Sequence, residues 1–162
     1  MKEIYNETNC FEKMFNIYSI PIKILNKNAK IPTKGSEKAA GWDLYAAIEN
    51  PIDILPYSTR KIGTGLSFEL PDGTFMGIFP RSGIATKRGL RPANCVGVCD
   101  SDYRGEYIVA LHNDTNEVQT IEPGERIAQM ILLPYLAMSF YEVDNLSDTT
   151  RGNSGFGDSG KF

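Results

Sequence analysis

Apolar and polar positions alternate along most of the chain with a period of two. Ile20, Ile22 and Ile24 are interleaved with Pro21 and Lys23, the pattern of a half-buried strand. The proline places that strand at a sheet edge, where a missing N–H breaks no ladder. Leu66, Phe68 and Leu70 alternate with Ser67 and Glu69, and Pro71-Asp72-Gly73 then supplies turn chemistry before a returning strand over Phe75–Phe79. Further strand-like runs cover Tyr107–Leu111, Val118–Ile121, Ile127–Leu133 and Met138–Val143, set apart by Asn113-Asp114, Pro123-Gly124 and Pro134. Within the body only Ser82–Lys87 has the pattern for a turn or two of helix. Many short strands separated by breakers predict an all-β, antiparallel sandwich or barrel.

The two ends depart from this period. Ile4, Phe11, Phe15 and Tyr18 fall near helical spacing, but Asn6 and Asn9 interrupt them. Residues 1–16 are therefore expected to be an extension, ordered in part at most or forming a short helix. The β domain is expected over 17–143, and a polar, Gly-rich tail over 144–162. A chain of 162 residues has the length of one domain and can bury a core without disulfide or metal staples. Its formal net charge of −3 argues against a DNA or RNA duplex as partner, while leaving room for one small polyanion in a local basic pocket. Three cysteines make no disulfide framework. A structural zinc would require Cys10, Cys95, Cys99 and His112 to converge, and the favoured reading is small buried thiols in a reducing compartment. No run approaches ~18 apolar residues and no charged start leads into an apolar stretch with a small-residue cleavage site, so the expectation is a soluble, intracellular protein with no membrane partner.

Five segments carry candidate chemistry. The tail Arg151-Gly152-Asn153-Ser154-Gly155-Phe156-Gly157-Asp158-Ser159-Gly160 formally contains G-x-G-x-x-G, but it lacks the strand before and the helix after that a dinucleotide site needs. What survives is a run of backbone N–H groups able to converge on an anion, with Arg151 and Ser159 as added donors and Phe156 as a face for a base. Asp100-Ser101-Asp102-Tyr103-Arg104-Gly105 begins like a calcium loop. Position five is Arg104 and position twelve is Leu111, where the loop needs a carboxylate or amide and a bidentate Glu, so calcium is rejected. Carboxylates on a turn between strand-like Val96–Val98 and Tyr107–Val109 instead suit a general base at the mouth of a β scaffold. Pro80-Arg81-Ser82-Gly83-Ile84-Ala85 offers a guanidinium, a hydroxyl and free N–H groups to a phosphate, although Ser82 as a helix cap explains it equally well. In Ala39-Ala40-Gly41-Trp42-Asp43-Leu44-Tyr45, Asp43 sits in an apolar run and must be paired, hydrated or bound to a metal. Gly124-Glu125-Arg126-Ile127-Ala128-Gln129 is a turn leading into a strand with a polar Gln near its start.

Taken in order, AAGWDL, PRSGIA, GVCDSDYRG, GERIAQ and RGNSGFGDSG resemble the five motifs of the trimeric dUTP diphosphatases, the dUTPases, over roughly residues 17–160. The resemblance implies a distorted jelly-roll β-barrel with at most one short helix in its body, a homotrimer with shared active sites, and Mg²⁺-assisted hydrolysis of dUTP to dUMP and pyrophosphate. That activity keeps uracil out of DNA and supplies dUMP for thymidylate synthesis. Carried over by position, Asp100 becomes the base that activates water for attack on the α-phosphorus, and it also holds the 3′-OH. Tyr103 lies under the deoxyribose and excludes a 2′-OH. Asn94 faces the uracil edge, with the backbone around Val98, Cys99 and Ile108 completing base recognition. Arg81, Ser82 and Gly83 grip phosphates beside Gln129, and Asp43 orients the metal through water. Arg151, Phe156, Gly157 and Ser159 close over the nucleotide from another subunit.

The physics of each role is sound. A magnesium-loaded triphosphate and a cradle of N–H groups and Arg neutralise charge as it moves in the transition state. Backbone amides that read uracil leave polar groups unpaired against cytosine. Three positions depart from common family choices: Cys99 for an aliphatic residue, Ser154 for Gly, and Asp158 for Ser. Asp158 is expected to weaken binding by about 1 kcal/mol through repulsion in a well-hydrated site. Three other readings compete: a dCTP deaminase on the same fold, for which the matching segments offer no suitable Glu; a nucleotide-responsive binding protein docking through Phe11, Phe15 and Tyr18; and a capsid-like structural jelly roll.

Overall fold

The computed structural model describes residues 18–155; the predicted N-terminal extension, and Phe156, Gly157, Asp158 and Ser159 of the tail, lie outside the described residues. In chain order the elements are β1 (Ile22–Ile24), β2 (Thr33–Lys34), β3 (Trp42–Tyr45), β4 (Ile52–Ile54), β5 (Thr59–Gly63), β6 (Leu66–Phe68), β7 (Thr74–Phe79), α1 (Ser82–Arg88), β8 (Leu90–Pro92), β9 (Gly97–Asp100), β10 (Ile108–Asn113), β11 (Gln119–Ile121) and β12 (Arg126–Pro134). The chain is all-β with one short helix, as the alternation predicts, and every strand pairing is antiparallel. Five strands form the largest sheet in the order β2-β3-β12-β7-β9. A second sheet runs β5-β10-β8, and two strand pairs, β1-β6 and β11-β4, complete the set.

The core lies where the inward faces meet. Leu44, Ile54, Ile62, Leu66, Leu90, Leu111, Ile121 and Ile127 are fully buried. β12 is central because both its edges are paired, to β3 and β7, and its run Ile127-Ala128-Gln129-Met130 supplies apolar groups to the core. A bulge interrupts this strand: Arg126 pairs with Tyr45 while Ala128 pairs with Leu44, so Ile127 is an extra residue. In a period-two strand one inserted residue reverses the facing of everything before it. The bulge thus moves Arg126 onto the face that carries Asp43.

Several sequence expectations are corrected. Met138–Val143 forms no strand: it pairs with none of the sheet edges, and Met138, Phe140 and Tyr141 stand in solvent. Cys95 is exposed, not a buried apolar residue, and Cys99 is half-buried. Cys95 holds a left-handed backbone conformation, φ 61°, in the turn after β8. Five short strands, β2, β3, β4, β5 and β8, carry too little alternation to be read from the sequence. Ser82 is not a side-chain cap: Arg81 occupies the N-cap position in extended conformation, and no side chain caps the helix.

Candidate active site

The hairpin β9–β10 opens around a turn that builds one concave region. A cavity of about 200 Å³ is lined by Val98, Cys99, Asp100, Tyr103, Glu106, Tyr107 and Ile108. A smaller one of about 70 Å³ adjoins it and shares Val98, Cys99 and Ile108 as a common wall, with Asn94, Gly97 and Ala110 among its other residues. Asp100, Tyr103, Asn94, Val98, Cys99 and Ile108, all candidates from the sequence, therefore come together. The Tyr103 ring lies against Gly105, where an added Cβ would collide with the phenol, and its hydroxyl donates to the Glu106 carbonyl at 3.1 Å. Glu106 is fixed in turn by the Gly65 N–H, which donates to its carboxylate at 2.7 Å. Beneath this surface Tyr107 packs on Phe68 with ring centroids 4.6 Å apart. Its buried hydroxyl has no nitrogen or oxygen partner among the described residues and lies beside the Cys99 thiol, and burial raises the pKa of both the Tyr107 phenol and that thiol.

A second constellation gathers three of the other motifs. Asp43 on β3 accepts Arg81 Nε at 2.7 Å on Oδ1 and Arg126 Nη1 at 3.2 Å on Oδ2. Of the three states the sequence left open for this carboxylate, the structure shows the paired one. Arg81 Nη1 also donates to the Arg126 carbonyl at 3.3 Å. Gln129 lies opposite both Asp43 and Phe79 in the sheet, and its Nε2 donates to the Pro80 carbonyl at 2.9 Å. Gly41 is needed there: a Cβ would come within 2.5 Å of Gln129 Oε1. Gly41, Asp43, Arg81, Arg126 and Gln129 thus form one lattice at the start of α1, beside the uncapped N–H groups of Ser82 and Gly83. Arg126, Glu106 and Tyr107 have structural or lining roles that sequence reasoning missed. Only Arg126 carried a signal, through its place beside Gln129 in the fifth segment.

Asp100 and Arg81 stand toward opposite ends of β7, and the smaller cavity reaches Ile78 between them. Asp100 pairs with Phe75, at the start of that strand, whereas Arg81 follows its far end. The steps from Phe75 to Phe79 alone span roughly 13 Å at ~3.3 Å per residue. Arg151 meets neither group; its Nε donates to the Ser154 carbonyl at 2.9 Å within the tail. Among the described residues no three His, Cys, Asp or Glu side chains gather in a metal-binding cluster, and Asp43 is already held by two guanidinium groups. Cys95, Cys99 and His112 therefore do not gather as the zinc alternative requires, and Cys10, its fourth ligand, lies outside the described residues.

The β scaffold thus carries an Asp100-lined cavity on one hairpin and an arginine–carboxylate cluster beside the start of α1. Comparison with known proteins gives the family. Residues 27–160 match the dUTPase family. The chain is 47% identical over 142 residues to the deoxyuridine 5′-triphosphate nucleotidohydrolase of Nautilia profundicola, covering 88% of this chain and 99% of that one. It is 46% identical over 147 residues to the protein of the same name from Desulfitobacterium hafniense, covering 88% and 97%. A dUTPase of Staphylococcus bacteriophage 80alpha, solved with dUpNHpp, superposes with a TM-score of 0.76 at 25% identity, covering 89% of this chain and 99% of that one. A mutant dUTPase from phage phi11 of S. aureus, described with a structural Mg(II) ion, has the same fold, with a TM-score of 0.70 at 19% identity over 79% and 98% of the two chains. The chain belongs to the dUTPase family, and its fold is the jelly-roll class of that family.

Proposed function

We propose that this chain hydrolyses dUTP to dUMP and pyrophosphate, with Asp100 as the base. The observation that carries the reading is the paired cavity, which brings the candidate base, sugar and catalytic residues of the hairpin to one place. The smaller cavity, walled by Asn94, Gly97 and Val98, fits a pyrimidine. The larger, with Asp100 at its rim and Tyr103 as its side, fits a deoxyribose whose 2′ position abuts a ring. Asp100 takes a proton from water as the water oxygen bonds to the α-phosphorus. The bond from that phosphorus to the bridging oxygen breaks, and pyrophosphate leaves with its electron pair. The smaller cavity contains no carboxylate, which weighs against deamination of a cytosine there.

The separation along β7 supports a homotrimer with shared sites. Asp100 and Arg81 of one chain leave β7 and its neighbour toward opposite ends, and the arginine end of a second copy would complete the pocket. The 135–146 segment supports the same reading: Leu136, Phe140, Tyr141 and Leu146 are each more than four-fifths exposed, an apolar arm that a neighbouring copy would cover. Arg151, Phe156, Gly157 and Ser159 would then reach a neighbour's nucleotide. Mg²⁺, carried on the phosphates, would supply charge neutralisation. Asp43 would act chiefly by aiming Arg81, with any metal contact made through water.

No helix among the described residues is long and apolar enough to cross a membrane, in keeping with a soluble enzyme that keeps uracil out of DNA and supplies dUMP. Pyrophosphate release from the purified chain with dUTP, dTTP, dCTP and UTP tests the proposal. Turnover of dUTP alone is the expected result; equal turnover of dCTP or UTP would overturn it.

A further inference from the structure

Arg88, the last residue of α1, makes three short contacts. Its Nη1 donates to Glu125 Oε1 at 2.5 Å, Nη2 to the Thr120 carbonyl at 2.5 Å and Nε to Gln119 Oε1 at 3.1 Å. Arg88 and Glu125 are about 31% and 24% exposed, so the pair is partly shielded from water. Glu125 is itself fixed: its other oxygen accepts the Glu122 N–H at 3.0 Å, and its backbone carbonyl accepts the Ala46 N–H at 2.8 Å. The next residue along, Arg126, holds Asp43, and Asp43 holds Arg81 at the opposite end of the same helix. A ring of contacts closes through Arg88, Glu125, Arg126, Asp43, Arg81 and back along α1.

We infer that the Arg88–Glu125 pair is a positioning clamp for the phosphate grip. It fixes the C-terminal end of α1 to the same dipeptide that fixes its N-terminal end, and so sets where Arg81 points. The inference rests on the proposed role of Arg81 toward the substrate phosphates. A seven-residue helix restrained at one end only can pivot about that end. A bidentate-capable guanidinium bridging a carboxylate and two further acceptors restrains both position and rotation. Neither Arg88 nor Glu125 lines the base and sugar cavities, so the clamp acts on the triphosphate and leaves the nucleoside pocket alone.

The test compares the full-length unaltered chain with Arg88→Ala, Arg88→Lys and Glu125→Gln. Steady-state hydrolysis of dUTP and calorimetric binding of dUMP and of inorganic tripolyphosphate are measured on each. Misplacement of a phosphate-positioning group by about 1 Å is expected to raise KM for dUTP about tenfold in Arg88→Ala, with dUMP affinity changed less than about twofold. Arg88→Lys should recover part of the loss, since its ammonium still meets Glu125. Parallel weakening of dUMP and dUTP, or an unchanged KM with only a lower melting temperature, would overturn the clamp. Glu125→Gln keeps the shape of the turn and removes the charge, so the inference stays testable if Arg88→Ala fails to fold. If the unaltered chain hydrolyses no dUTP, the proposed activity fails. Tripolyphosphate binding then decides the clamp separately, with equal affinity in all variants refuting it.

Discussion

Replacing Gly105 by Ala isolates one specificity determinant from the rest of the site. Gly105 is not among the residues with positive φ, so an alanine backbone is tolerated there. The obstacle is the Tyr103 ring: an added Cβ would sit 2.5 Å from Cζ and 2.9 Å from Cε2, and closer still to the hydroxyl. Regaining ordinary contact requires the ring to retreat by roughly 1 Å. Tyr103 is 45% exposed and can swing outward, losing its hydrogen bond to the Glu106 carbonyl. That loss costs about 1 kcal/mol, a fall in melting temperature of about 2–4 °C for a chain of this size. The effect on selectivity is larger. Steric and packing discrimination of a single group is worth ~1–3 kcal/mol, or about 10–200-fold, and most of it depends on where the ring lies. Gly105→Ala should therefore raise kcat/KM for UTP relative to dUTP by at least about tenfold, measured by pyrophosphate release. An unchanged ratio, or a parallel fall for both nucleotides, would refute the reasoning that Gly105 sets the ring and the ring excludes the 2′-OH.

Asp100→Asn should lower turnover of dUTP about 10²–10⁴-fold, while calorimetry shows dUMP binding retained. Asn113 is fully buried; its Nδ2 donates to the carbonyls of Ile54, Leu55 and Glu117, and its Oδ1 accepts from the Thr115 N–H and hydroxyl. Asn113→Ala should cost about 3 kcal/mol through unsatisfied groups, read as a drop of about 6–12 °C in the melting temperature. Cys99 and Tyr107 both titrate higher in the folded chain than when unfolded. The unfolded chain releases those protons first, so stability is full below about pH 8.5 and declines as pH rises above it. Tyr107→Phe removes a buried hydroxyl whose neighbouring polar group is the weakly accepting Cys99 thiol, and should raise the melting temperature and flatten that decline at its high-pH end; a lower melting temperature would refute this.

Local pattern predicted some elements well and long-range chemistry hardly at all. β6, β7 and β12 announce themselves because alternation persists for three or more positions and turn residues bound them. β5 reads Thr59-Arg60-Lys61-Ile62-Gly63 and buries Ile62, too thin a stripe to register as a strand. Met138–Val143 shows the converse: an alternating run does not make a strand when nothing in the fold docks it against a sheet edge. For the site, the five segments were visible in order, and the hairpin residues among them do share a cavity. The pairing of Asp43 was not visible, because its partners lie 38 and 83 positions away and nothing in spacing links them. Arg126 was obscured twice over, since a regular strand would have turned it from Asp43 and only the bulge at Ile127 brings it round.

The arrangement along β7 has a genetic reading. If, as proposed, each polypeptide contributes a nucleoside pocket to one reaction centre and an arginine grip to another, a lesion in either half would leave the other half sound. Two inactive chains, one carrying Asp100→Asn and the other Arg81→Ala, should complement when assembled together. With random mixing, about a quarter of the centres would combine the undamaged half of each.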